Sequence, residues 1–392
     1  GIICDYSSNK TNKPIRNKRR IVYLFLFPLS LIIFLIWSPF IADLLTIELS
    51  LYFFICISFY QVCLAIIQLY YFSMFQELFK TEESRRKTQF WITNVNFYGM
   101  GLGYIISLGL MWIFTEDINQ DITLIFFEPG AIDFIILFVI SLVNLFIILI
   151  SITFFFVFLR LIKEPEKKHK QKLLLKEIKK NPMFLMKESN SRNWLLFNFL
   201  VSIPLTLFLK ITVLFSAFVL NLEGSPFILF FLIVIFSAYP MSFYLVRKHL
   251  SKEKPLKPFL LNILRFGSIS FLFFFVFLIP IISVVYVLTG IIVFILVFIF
   301  FMTYKYIPGT ITADISDEYE NEFNRKMYGT LIGLNGAVNA FGVALSSVLL
   351  WAFLQLIGSN SFYSYILILP LFSVFLISSY YILKKVQVKE PE

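Results

Sequence analysis

Ten apolar stretches divide this chain, each long enough to cross a bilayer, and they constrain its fold more than any other feature. A crossing helix needs about 20 mostly apolar residues. The stretches run over 21–41, 49–76, 90–114, 132–159, 194–221, 226–246, 259–279, 281–302, 328–356 and 362–383. Composition agrees: 59% of residues are hydrophobic and 15% charged, against about a quarter charged in a soluble domain. The expectation is an all-α integral membrane protein. No polar loop divides 259–279 from 281–302. As a single helix the pair would be roughly 66 Å long, about twice the hydrocarbon core, so a tight turn is expected at "LIPIIS" around Pro280.

The charges predict the orientation. Of the 34 Lys and Arg, 32 fall in six segments: 1–20, 77–90, 160–193, 247–258, 303–328 and 384–392. The alternate loops at 42–48, 115–131, 222–225 and 357–361 carry none, and hold acids such as Asp43, Glu48, Glu116, Asp117 and Asp121 instead. Basic loops stay in the cytoplasm, which places the six segments and both termini inside a cell membrane. The net charge of +10 is then topological and does not call for nucleic acid. Cys56 and Cys63 lie seven apart on one helix face and are read as space-filling. No phosphate-binding loop, HExxH or nucleophile elbow is present, so no enzyme is expected.

The longest basic segment, 160–193, reads as a cytosolic linker with 11 basic residues, in which Leu173, Leu174, Leu175 and Ile178 could form one apolar face. Six spans follow it within 194–383, and a basic tail covers 384–392. Four spans precede it within 1–159, after the loop 1–20. Many transporters join two six-span halves by such a linker. Six spans fit a complete half; four fit a half lacking its first two. An internal echo supports two pseudo-symmetric halves. In "QELFKTEESRRKTQFWITNVNFYGMGLG" and "TADISDEYENEFNRKMYGTLIGLNGAVN", an acid cluster precedes a basic pair and then a helix with glycines at i, i+4: Gly99/Gly103 and Gly329/Gly333. Small residues at that spacing allow close helix approach.

Three segments carry a family resemblance. "GIICD…KRR" resembles the G-x-x-x-D and basic loop between spans two and three of the major facilitator superfamily. "FQELFKTEESRRK" and "IPGTITADISDEYENEFNRKMYG" resemble the loops after spans four and ten of the glycoside–pentoside–hexuronide:cation symporters, the group of melibiose permease. The resemblance implies a major facilitator fold with about 10 of 12 transmembrane helices present, the chain lacking the first two. It implies a monomeric secondary transporter that moves a small sugar- or glycoside-like solute by alternating access. It needs no cofactor beyond Na⁺ or H⁺ as a possible coupling ion, and its partners are its substrate and the lipid bilayer. Counting back from Arg85 places an acidic position of that family near Gln68, and counting forward from Arg325 places its lysine near Asn339. Both are uncharged here. Relatives also carry lysolipids, so a carrier of amphiphiles is the alternative, and an integral-membrane enzyme a more distant one.

Polar residues inside the spans are the substrate-binding candidates. Gln61 and Gln68 lie seven apart; Asn335 and Asn339 lie four apart; Asn94 occupies the span equivalent to that of Asn335. Amides donate and accept, which suits hydroxyl-rich ligands, although they also bond helix to helix. Lys210 is the cation deepest in a span and is read either as a ligand contact or as snorkelling outward. Arg265 is close enough to its inner end to snorkel. The gating candidates are the loop charges: Asp5 with Lys18, Arg19 and Arg20; Glu77 with Arg85; and Asp314 and Asp317 with Arg325. They can form switchable ion pairs or remain solvated; the acids favour the former, because the topology rule requires only Lys and Arg.

Overall fold

The computed structural model describes residues 14–36, 48–79, 81, 83–95, 97–99, 146, 149, 153, 181–222, 225–250, 255–279, 283–323, 327–357 and 362–388. Among these residues there is no strand. The described helices are α1 (Pro14–Ile36), α2 (Leu49–Leu78), α3 (83–95 and 97–99), α4 (Asn181–Lys187), α5 (Ser189–Phe218), α6 (Ser225–Leu250), α7 (Leu256–Leu272), α8 (Ser283–Lys305), α9 (Pro308–Phe323), α10 (Tyr328–Ile357) and α11 (Phe362–Lys385). Seven of the described helical stretches are long and apolar enough to cross a membrane. All of the expected span 132–159 except 146, 149 and 153, the loop holding Asp5, and Leu173 to Ile178 lie outside the described residues.

The chain divides into two compact units: Gly1–Thr81, Ile105–Pro182 and Lys326–Gly333 in one; Glu82–Tyr104, Met183–Arg325 and Leu334–Glu392 in the other. In the first, α1 packs on α2. Tyr52, Cys56, Cys63, Ile67, Tyr70 and Met74 are buried along α2, at the alternating three- and four-residue steps of a helix presenting one stripe. Val22 and Leu26 of α1 meet Ile67, Tyr70 and Met74, and the Tyr52 hydroxyl donates to the Leu35 carbonyl at 2.7 Å. Cys56 and Cys63 are unbridged and fill this stripe.

The second unit has an aromatic core. Phe208, Phe215, Phe271, Phe274, Phe277, Phe294 and Phe372 are all almost fully buried. Their rings meet edge to face, as in Phe274–Phe294 at 5.4 Å and Phe271–Phe372 at 5.4 Å, the arrangement ring quadrupoles favour. Gly267 of α7 lies against this core. A Cβ there would come within 2.7 Å of the Phe300 ring, so the α7–α8 crossing requires a residue without one. At Gly99 an added Cβ would meet nothing within 4 Å among the described residues, and Gly103 lies outside them.

Two features refine the expected layout. The seventh and eighth expected stretches are separate helices: α7 passes into a 3₁₀ helix at Phe273–Leu278 and α8 begins at Ser283, with Pro280 outside the described residues. Tyr286 donates to the carbonyls of Phe277 at 3.1 Å and Ile279 at 2.7 Å, satisfying the groups a helix end exposes. The segment 303–328, expected as a loop, instead contains the 16-residue helix α9. The chain turns at Tyr306 and Ile307, whose amides donate to Thr303 and Tyr304. Pro308 then starts the helix where its missing N–H costs nothing. Ile311, Thr312, Ile315, Ser316 and Tyr319 form its buried face. That periodicity was overshadowed in the sequence by the acids on the opposite side.

Candidate functional site

Helix α9 is gripped from several directions, all within the second unit. Arg85, near the start of α3, is buried. Its guanidinium pairs with Asp317 and lies 3.6 Å from Asp314. The two aspartates share a face because they are three residues apart on a helix. Asp314 is mostly covered, whereas Asp317 keeps about a third of its side chain in contact with solvent, at 35%. One turn along α3, Gln89 presses on the start of α9: a Cβ on Gly309 would sit 3.0 Å from its Oε1.

Asn94 is held in place by tyrosines. Its Oδ1 accepts from Tyr306 at 2.7 Å and Tyr239 at 3.0 Å, while Nδ2 donates to the Phe90 carbonyl at 2.9 Å. A carbonyl oxygen has two acceptor directions, and both are used. Phe90 and Phe97 flank this cluster against Tyr306. A ligand reaching Asn94 Oδ1 would have to displace a tyrosine.

A second network joins α5, α9 and α10. The Thr312 hydroxyl donates to the Pro308 carbonyl at 2.7 Å and accepts from Trp194 Nε1 at 3.1 Å and Asn335 Nδ2 at 3.4 Å. Asn335 Oδ1 accepts from Asn198 Nδ2 at 3.3 Å. The Tyr319 hydroxyl accepts from the Ser191 amide at 3.0 Å, and Phe184 of α4 packs edge-on against Tyr319.

Beyond this network α5 and α10 run side by side and continue in polar residues. Asn198, Ser202, Thr206 and Lys210 follow one another at four-residue steps on α5. Asn335, Asn339 and Ser347 accompany them on α10. Helix approach is close at Gly342, whose added Cβ would meet Ser202 and lie 3.2 Å from the Phe199 carbonyl. Lys210 Nζ donates to Ser347 Oγ at 2.5 Å. No carboxylate pairs with it among the described residues. Asn339 and Lys210 are exposed.

The structure therefore brings Arg85, Asp314 and Asp317 together, and places Asn335, Asn339 and Lys210 along one seam. Gln61 and Gln68 are exposed on α2, in the other unit. Asp5 and Arg325 and the side chains of Arg19 and Glu77 lie outside the described residues. Asn198, Thr312, Tyr239 and Tyr306 were not singled out by sequence. Asn198 could have been, since it begins the four-residue polar repeat that ends in Lys210. The tyrosines carried no such signal among 19.

The comparisons with known proteins agree with this architecture. No curated protein matches the chain. A solved structure of a bacterial homologue of the iron transporter ferroportin, in an outward-facing state with soaked iron, is similar in fold at 14% identity. It superposes with a TM-score of 0.58, covering 97% of this chain and 85% of that one. The profile of the MFS/sugar transport protein family matches residues 5–367. The chain belongs to that family, and is a multi-pass membrane protein of the major facilitator fold.

Proposed function

We propose that the protein is a secondary carrier that moves a small polar solute of the sugar or glycoside class by alternating access, with the basic ends of its helices in the cytoplasm. The observation that carries this reading is the buried Arg85 held by Asp314 and Asp317. It ties a helix early in the sequence to α9, far along it. A carrier must close its inner side in one state and open it in the other. A partly buried ion pair suits both demands. Breaking it in a dry interface is costly, but water entering the opened path solvates the separated charges and lowers that cost. The α5–α10 seam supplies amides and hydroxyls for a hydroxyl-rich solute, and Lys210 a positive point at its far end. Coupling to Na⁺ or H⁺ is what the resemblance of its loops to those of the symporters implies.

The test is uptake into proteoliposomes across a panel of sugars and glycosides, with and without Na⁺ and pH gradients. Asp314→Asn and Asp317→Asn are expected to lower the maximal rate with little change in KM, because they alter the switch and not the ligand contacts. Wild-type rates in both would reject the latch. A carrier of amphiphiles is the second reading, favoured by the exposed apolar side chains of α10, such as Phe341 and Val343. Uptake of lysolipid and not of sugar would select it.

A further inference from the structure

A cationic cluster lies where α7 and α11 meet, away from α9 and the seam. Arg265 donates a hydrogen bond to the Tyr380 hydroxyl, and its Cζ lies 4.8 Å from that ring's centroid. Lys384 Nζ lies 4.9 Å from the same centroid. The two cations are therefore at most about 10 Å apart, around one phenol. Lys257 adds a third, donating to the Lys384 carbonyl at 3.1 Å. Neither α7 nor α11 contains an acid, and no carboxylate pairs with Arg265 or Lys384 among the described residues.

Helix-end electrostatics explain only part of this. Lys384 and Lys385 occupy the last turn of α11, where the dipole favours cations. Arg265 has no such support. It is the tenth of the 17 residues of α7, more than a turn from either end and beyond the dipole's reach. Two exposed cations holding the face and hydroxyl of one tyrosine form an electropositive cleft suited to an oxyanion with several acceptor atoms.

The surroundings select which oxyanion. The helices are antiparallel: Arg265 pairs with Tyr380, and deeper in, Phe271 meets Phe372. In that register Ile269 lies level with Ile377, and Leu272 with Val374. All four are exposed, between 42% and 57%. An apolar track thus leads away from the cations toward the middle of the spans. Charge at one end and a hydrocarbon-faced track at the other match a phospholipid, and not a free soluble anion.

We propose that the cleft between α7 and α11 binds the phosphate headgroup of an anionic phospholipid, with Arg265 and Lys384 as its ligands, Tyr380 positioning Arg265, and the acyl chains along Ile269 and Ile377. The orientation proposed above enters only in naming the inner leaflet as the source; the binding itself does not depend on the transport reading.

The test titrates the full chain with phosphatidylglycerol or phosphatidylcholine of identical acyl chains and reads retained lipid by native mass spectrometry. Phosphatidylglycerol is expected to bind the more tightly. At about fivefold per basic residue, Lys384→Gln should weaken it about fivefold and Arg265→Gln with Lys384→Gln about 25-fold. Arg265→Lys should keep most of the affinity, and Arg247→Gln, an exposed basic residue ending α6, should leave it unchanged. Lys384 is exposed at a helix end, so its single variant reads binding without a folding defect. Equal retention of the two lipids, or undiminished phosphatidylglycerol binding in Lys384→Gln and the double variant, overturns the proposal. Competition by inorganic phosphate at the concentration of the lipid also overturns it, making the cleft a soluble-anion site.

Discussion

Helix α9 and the α5–α10 seam are both polar, yet they are partnered differently. Around α9, Arg85 meets two aspartates, Thr312 uses its donor and accepts twice, and Asn94 spends its amide on two tyrosines and a carbonyl. Further along the seam, Asn339 is exposed and Lys210 has a serine hydroxyl where a carboxylate would be expected. Desolvated polar groups are costly unless satisfied. A region that satisfies them is built to hold one arrangement. A region that leaves an amide and a cation exposed places no such demand on one arrangement. On the function proposed above, the contrast is that of a latch and a reading surface.

The largest expected effect is at Arg85. Arg85→Gln removes the guanidinium that both Asp314 and Asp317 face. Removing one partner of a buried pair costs 3–5 kcal/mol; the remaining exposure of Asp317 reduces this to about 2–4 kcal/mol. Thermal unfolding in detergent should show it, with Arg85→Lys recovering part. An unchanged melting temperature would mean that α9 is held by Phe184, Trp194 and Tyr319 alone, and the latch would be lost from the comparison.

Lys210 should behave in the opposite sense. Lys210→Gln removes one hydrogen bond to Ser347 at an exposed position, so stability should move by less than about 1 kcal/mol. If the seam reads the substrate, KM should rise about tenfold or more, the loss of one charge-assisted contact. A stability loss without a change in KM would make Lys210 a structural cation and erase the distinction between the regions.

Tyr306→Phe asks whether the Asn94 cluster belongs with the latch. It removes one of two donors to Asn94 Oδ1 and leaves Tyr239, so about 0.5–1.5 kcal/mol should be lost. The maximal rate should change more than KM. A change confined to KM would place Asn94 with the reading surface instead.

Much of this was legible in sequence. The apolar runs 49–76 and 328–356 anticipated the helices Leu49–Leu78 and Tyr328–Ile357, and a break between α7 and α8 followed from a length no bilayer could accommodate. The acids at 314 and 317 were visible as part of an acid cluster in a segment expected as a loop. Their partner was not, because an ion pair across so many intervening residues leaves no local pattern, and Arg85 was expected beside Glu77. Helix α9 was hidden for a related reason: its buried face is built from Thr and Ser as well as Ile, which a hydropathy reading scores as loop. Asn94, Asn335 and Lys210 could be named as polar residues in apolar spans, but whether each is saturated or open depends on neighbours that only the fold supplies.

The smallest effect sharpens the comparison most. Glu83 and Lys87 form an ion pair at 2.5 Å one turn apart on α3, beside Arg85 in sequence, but both are largely exposed, at 65% and 72%. The Lys87 ammonium, donating to it, holds the Glu83 carboxyl below its usual range. A lowered carboxyl contributes stability above its ordinary value near 4.5, and that contribution is lost as the pH falls through the lowered one. From neutrality down to about pH 5 the pair should therefore be unaffected, and solvent screening keeps it weak throughout. Glu83→Gln should leave melting temperature and transport rate within error, although its geometry is as good as that of Arg85. An effect as large as that of Arg85→Gln would mean that charge count, and not burial, holds this end of the protein together.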